Sequence, residues 1–195
     1  MLKDKKLILA SGSPRRIEMM AQHGLTPRIM PAHVEENLPV NSGMCETAMF
    51  LALKKAQAVE AEYFAEGGEP GPIIIAADTI VYKDGEIMGK PEDAADGFRM
   101  LDKLRNDFHY VVTGVALLEA GMQNTRVFAE VTEVHFKDYT DEELHAYLAT
   151  DEAYDKAGAY AIQGYFARYI DHFSGSYDNV IGFPWDRITE ELEKL

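Results

Sequence analysis

Residues Ile73 to Ala77 form an unbroken apolar run, "IIIAA", closed by an acid, Asp78. A strand with one solvated face alternates polar and apolar residues. A run apolar at every position is the habit of a strand buried on both faces, inside a sheet covered by helices. The flanking sequence supplies such helices. Pro14 to about His23 reads as a helix closed by Gly24, and Glu46 to about Tyr63 as a longer one rich in Ala, Leu and Lys at helical spacing. Pro91 opens another, with Glu92 and Asp93 in its first turn, to about Leu104; Asp141–Thr150 is capped by Thr140; and Trp185–Leu195 is the last. Strands are expected at Leu7–Ala10, Arg28–Pro31, His109–Leu118, Thr125–Phe136, Phe166–Phe173 and Asn179–Ile181, and Asp84-Gly85 is a hairpin turn. "KAGAYAI" reads as one or two helical turns. Hairpins coexist with crossover helices, without strict alternation, so the class is α/β with a mixed, twisted sheet. No internal repeat or linker interrupts it, and residues 1–195 read as one domain.

Charge narrows the partners. Lys and Arg total 19 against 33 Asp and Glu, a net charge of −14. Such a chain repels nucleic acid and anionic membranes at long range, so neither is expected as a partner. No apolar run approaches the roughly 20 residues of a membrane span. The patch Leu7–Ala10 is too short for a signal-peptide core, and the expected location is cytoplasmic. The one cysteine, Cys45, forms no intrachain disulfide and argues against a thiolate zinc site. The six histidines show no paired spacing and are read as surface or structural groups.

Against that acidic background, "SGSPRR" at Ser11–Arg16 is unusual. It is a strand-to-helix turn with Pro14 at the first helical position, yet Arg15 and Arg16 follow, where helix polarity disfavours cations. A bound phosphate would reverse that preference. Backbone N–H groups at the turn and two planar guanidinium forks suit its oxygens, and Gly12 permits close approach. The plain alternative is two solvated arginines on an exposed helix start.

Asp78 leaves a buried strand, where α/β sheets bind ligands, and is a candidate metal ligand or general base. Lys90, held extended before Pro91, can reach an anion. Glu35 and Glu36 are a carboxylate pair able to hold Mg²⁺, although an acidic chain has surface pairs too. Of Lys54 and Lys55 one must point nearer the core. Gln163 lies among small residues, and its amide can both donate and accept at a base edge. Cations and carboxylates at strand and helix ends suit metal-assisted attack on a phosphate ester or anhydride. A P-loop and a G-x-G-x-x-G motif are both absent.

The segments "LASGSPRR", "AADTIV", "GKP", "VVTGVAL", "DKAGAYAIQG" and "GSYDNVIGFP" occur in that order across essentially the whole chain. In these motifs the sequence resembles the Maf family of nucleoside triphosphate pyrophosphatases. The resemblance implies a Maf/ITPase-like fold: an elongated mixed sheet flanked by helices, in two lobes with a central cleft. It implies hydrolysis between the α and β phosphates with a divalent metal, Mg²⁺ or Mn²⁺, and a link to septum formation. "DKAGAYAIQG" is similar to the branch acting on dTTP and UTP. By resemblance Asp78 is the catalytic proton acceptor, with Glu36 and Lys90, and Asp78 and Glu36 hold the metal. Ser11, Arg15, Arg16, Lys55, Thr79 and Gln163 bind substrate, Arg15, Thr79 and Gln163 at positions tied to base selectivity. The family includes dimers, so a homodimer is an expectation. Ala161, Ala153-Tyr154, Arg105-Asn106 and Phe183 depart from the family pattern without removing a charged or amide site group. Two other readings share this turn: a non-catalytic regulator of division that binds a nucleotide or a partner, and a pyrophosphatase for modified nucleotides.

Overall fold

Leu7–Leu9 (β1) is buried at every residue and continues through Pro14–Gln22 (α1) to Arg28–Ile29 (β2), which pairs with β1 in parallel. The computed structural model describes residues 4–35 and 42–195. Met44–Ala65 (α2) crosses back to Ile73–Lys83 (β3), parallel to β1 on its other side. Asp84 and Gly85, with φ of 49° and 83°, turn β3 into Glu86–Met88 (β4), the primed geometry that a two-residue hairpin favours. Ala94–Leu104 (α3), Phe108–Glu119 (β5), Thr125–Phe136 (β6), Asp141–Leu148 (α4), Ile170–Ser174 (β7), Tyr177–Ile181 (α5) and Trp185–Leu192 (α6) follow. The strands form one mixed seven-stranded sheet in the order β2-β1-β3-β5-β6-β7, with β4 paired to β3. This is the helix-flanked mixed α/β sheet that the sequence indicates. No described helix is long and apolar enough to cross a membrane.

Two compact units divide the chain, and β3, β5 and β6 each run from one into the other. The first comprises residues 1–78, 113–130 and 182–195. Its core sets Ile8, Ile74, Ala76, Ala116 and Leu118 of the strands against Ala52, Ala56 and Val59 of α2. Ala48, Ala52 and Ala56, four residues apart and fully buried, bring α2 close to the strands. A Cβ on Gly114 would land on the Ala48 carbonyl, so a glycine in β5 permits that approach. The second unit comprises residues 79–112 and 131–181. Its core is aromatic: Phe136, Tyr139, Tyr160, Phe166 and Tyr169 pack edge-on and tilted against Leu101, Leu104 and Val134.

Four local expectations change. The helix expected from Pro91 starts at Ala94, because the Asp93 carboxylate caps the Asp96 N–H at 2.8 Å. The strand expected at Phe166–Phe173 begins only at Ile170. Tyr165–Tyr169 is a 3-10 turn, which puts Phe166 and Tyr169, three apart, on one buried face. Asn179–Ile181 is helical, not extended. The Ser176 hydroxyl accepts the Asn179 N–H at 3.2 Å as a cap, and the Asn179 amide donates inward to the Val111 carbonyl (3.0 Å) and Thr132 Oγ1 (2.9 Å). Finally, β3 does not end at Asp78 but runs to Lys83.

Candidate active site

Although β3 outruns the apolar segment, β1 does not. The register aligns Leu9 with Ile75, and the Ala10 N–H donates to the Ile75 carbonyl at 2.8 Å. The chain then leaves β1 at Ser11 while β3 continues through Ala77 and Asp78. Both residues therefore lie at the carboxyl edge of the parallel pair, where such sheets present groups to ligands.

Arg16 ties this edge together. Its Nε donates to the Gly182 carbonyl at 2.9 Å, and one terminal nitrogen donates to the Ala77 carbonyl at 2.7 Å and to Ser11 Oγ at 3.2 Å. Ser11 Oγ also accepts the Ser13 N–H at 3.2 Å, which closes the turn. Desolvation, with a smaller contribution from Arg15, pulls the Arg16 pKa down to about 10 against the opposing charge of Asp78, so the guanidinium stays protonated at neutral pH. Arg15, one step round the helix, makes no hydrogen bond or ion pair with any described residue. The N-cap position, Ser13, offers no side-chain cap, and the first turn of α1 carries no acid. Neither its cap nor its first turn therefore offsets the positive polarity of that helix end.

Asp78 is buried, and its carboxylate forms an ion pair with Lys55 Nζ. The pair is well shielded, with side chains 16% exposed at Lys55 and 9% at Asp78. The two neighbouring lysines diverge: Lys54 Nζ instead donates to the Glu35 carbonyl at 2.6 Å. Ser11, Arg16, Lys55 and Asp78 are thus brought together in the first unit. Glu36 lies outside the described residues. Among the described residues, no three His, Cys, Asp or Glu side chains gather as a metal site.

Thr79, Lys90 and Gln163 belong to the second unit. There the "GKP" and "DKAGAYAIQG" segments are joined by the Gly158 N–H, which donates to the Gly89 carbonyl at 3.0 Å. Gly158 has φ of 68°, and a Cβ on it would stand 2.8 Å from a Val81 methyl, so this position requires glycine twice over. Thr79 is half-buried; Lys90 and Gln163 are exposed, and neither has a hydrogen-bond partner among the described residues. Sequence reasoning missed the carbonyls of Ala77 and Gly182, which no side-chain motif announces. It also placed His109 among surface or structural groups without a partner. His109 is fully buried against Tyr160, Nε2 to hydroxyl 2.6 Å, and burial lowers its pKa to about 3.

The chain matches the family model described as Maf-like protein over residues 6–195. A protein of Bacillus cytotoxicus named dTTP/UTP pyrophosphatase is 44% identical over 191 residues, 98% of this chain and 96% of the relative. Relatives of the same name from Citrifermentans bemidjiense and Caldicellulosiruptor bescii are 43% and 40% identical, covering 100% and 98% of this chain and 97% and 95% of their own. Among solved structures, the Staphylococcus aureus Ham1 protein aligns with a TM-score of 0.48 at 15% identity, over 97% of this chain and 99% of that one. With a family match from residue 6 to residue 195 and relatives above 40% identity over almost their whole length, the chain belongs to the Maf family.

Proposed function

We propose that the protein is a nucleoside triphosphate pyrophosphatase that converts dTTP and UTP to the monophosphate and pyrophosphate, working as one domain over residues 1–195. The observation that carries this reading is the buried Asp78 carboxylate paired with Lys55 at the carboxyl edge of the sheet. The full-length relatives named dTTP/UTP pyrophosphatase supply the substrate class.

In this reading Asp78 accepts the proton of a water that attacks the α-phosphorus. The bond from that phosphorus to the bridging oxygen breaks, and pyrophosphate leaves. Lys55 holds the Asp78 carboxylate in place through their ion pair. Arg15, unengaged by described side chains beside the open helix end, takes phosphate oxygens. Arg16 holds Ser11 and the strand edge in place. Lys90 supplies a further cation to the phosphates, while Thr79 and Gln163 read the base.

A divalent ion, Mg²⁺ or Mn²⁺, fits the donor chemistry. Mg²⁺ takes one or two carboxylates and completes its shell with phosphate oxygens and water. Asp78 would be one ligand and Glu36 the other. When bound, the ion would neutralise charge on the phosphates.

Pyrophosphate release measured across a panel of canonical and modified triphosphates tests the reading. Turnover should be highest with dTTP and UTP. Asp78→Asn should lose about 10²- to 10⁴-fold in kcat, the usual scale for removing a general base, with nucleotide binding retained. Silence with every nucleotide and metal would favour a binding regulator, and near wild-type release by Asp78→Asn would remove its role as base.

A further inference from the structure

One half-buried acid has no part in this chemistry, and its carboxylate engages the turn that carries Gln163. Glu152 accepts the Tyr165 N–H on both carboxylate oxygens, at 2.9 and 3.2 Å. Gly164 lies against the same carboxylate, where a Cβ would stand 2.8 Å from Glu152 Cδ. Gly164 is extended (φ 169°), so this residue is glycine for the room the carboxylate needs and not for backbone strain. Glu152 is itself anchored: Thr150 Oγ1 accepts its N–H at 3.4 Å, and its carbonyl accepts from Lys156 Nζ at 3.1 Å.

The ring of Tyr165 is held as well. It lies near-parallel to Tyr147, centroids 6.1 Å apart, and the Arg168 guanidinium sits 3.8 Å from its centroid. The Tyr147 phenol is buried, and its pKa is raised by burial and further by the Glu152 charge. On the other side of Gln163, Ala161 is buried and Tyr160 is bonded to His109. Residues on both sides of Gln163 are fixed while its amide is exposed.

We propose that Glu152 is the positioning residue that fixes the Gln163 turn, and that through it the protein selects a base edge with an N–H beside a carbonyl, as in uracil and thymine. This rests on the reading of Gln163 as the base-contacting amide. In the orientation that donates to that carbonyl and accepts from that N–H, the amide reaches the edge only while its backbone is held in place, because a displaced turn loses both contacts together. Cytosine presents an amino group and an unprotonated ring nitrogen there, and the same orientation rejects it.

The test compares Glu152→Ala, Glu152→Gln, Gln163→Ala and the double variant Glu152→Ala/Gln163→Ala in steady-state assays with dTTP, UTP and CTP. Asp151→Asn controls for loss of a neighbouring charge. Glu152→Ala should raise KM for dTTP and UTP about tenfold, the scale of a lost charge-assisted hydrogen bond, with a much smaller change in kcat. Its preference for UTP over CTP should fall with it. Glu152→Gln, which keeps one acceptor, should recover most of that loss, and Asp151→Asn should match wild type. The double variant should be no worse than Gln163→Ala, because both act through one contact. Amide hydrogen exchange should rise in residues 163–166 of Glu152→Ala and not in β5.

If Gln163→Ala leaves KM and selectivity unchanged, the reading of Gln163 fails. If Gln163→Ala impairs both while Glu152→Ala impairs neither, or lowers kcat equally for all three nucleotides, the proposal for Glu152 is overturned.

Discussion

Arg15 and Arg16 are neighbours of the same type, yet the structure gives them different work. Arg16 spends its donors on the Ala77 and Gly182 carbonyls and the Ser11 hydroxyl, so it serves the turn. The sequence reading assigned both guanidinium groups to a phosphate, and for Arg16 that is incomplete. Replacing it by Lys removes the fork geometry and leaves at least one half-buried carbonyl without its donor. Arg16→Lys should lower the unfolding free energy by about 1–3 kcal/mol in urea denaturation without nucleotide. Arg15→Ala should stay within about 0.5 kcal/mol of wild type, because no hydrogen bond or ion pair to a described residue is lost and an unfavourable charge at a helix start is removed. It should nevertheless weaken nucleotide binding by calorimetry. Equal stability losses in the two variants would refute this division.

Among the elements, packing constraints are concentrated at a few positions. Gly114 in β5 faces the Ala48 backbone of α2, and backbone cannot move aside as a side chain can. Gly114→Ala should therefore cost about 3 kcal/mol or more, read as a lower urea midpoint, and should loosen the α2 register that delivers Lys55 to Asp78. Elements with a local signature were legible in the sequence: β1, α1, α2, the Asp84-Gly85 hairpin, and α4, whose Thr140–Glu143 capping box forms. Those set by distant partners were not. The α5 segment is short and apolar enough to suggest a strand, and the Ser176 cap with the buried Asn179 bonds to Val111 and Thr132 holds it as a helix. The candidate site was legible as a set of residue types, since charges in an apolar context stand out. The carbonyls that engage Arg16 and the carboxylate behind Gln163 have no such signature, because they act through backbone groups common to every residue.

For the molecule as a whole, His109 couples folding to acid. Burial pushes its folded pKa down to about 3, below the ordinary imidazole value of 6.5. The unfolded chain therefore binds a proton that the native protein refuses. The stability this represents is present above pH 6.5 and is lost as pH falls from 6.5 toward 3. In that window one proton contributes a slope of about 1.4 kcal/mol per pH unit. His109→Gln should flatten the slope between pH 6 and 4 by about that amount, whatever it does to stability at pH 7, and thermal denaturation across that range measures it. An unchanged slope would mean that His109 is protonated in the native state.

The first unit draws its parts from three separate stretches of chain, and the last is residues 182–195. Gly182 supplies an acceptor to Arg16, Trp185 stacks on His23 at 4.0 Å between centroids, and the Leu192 carbonyl accepts from Lys5 at 3.0 Å. During synthesis, residues 7–78 are made long before these partners exist. A nascent chain paused anywhere before residue 182 holds an Arg16 that lacks one acceptor and a β1–α1 turn without its brace. Folding from the N-terminus forward, the usual order on the ribosome, cannot complete this edge. The β1–α1 edge is thus completed only once translation has passed residue 182.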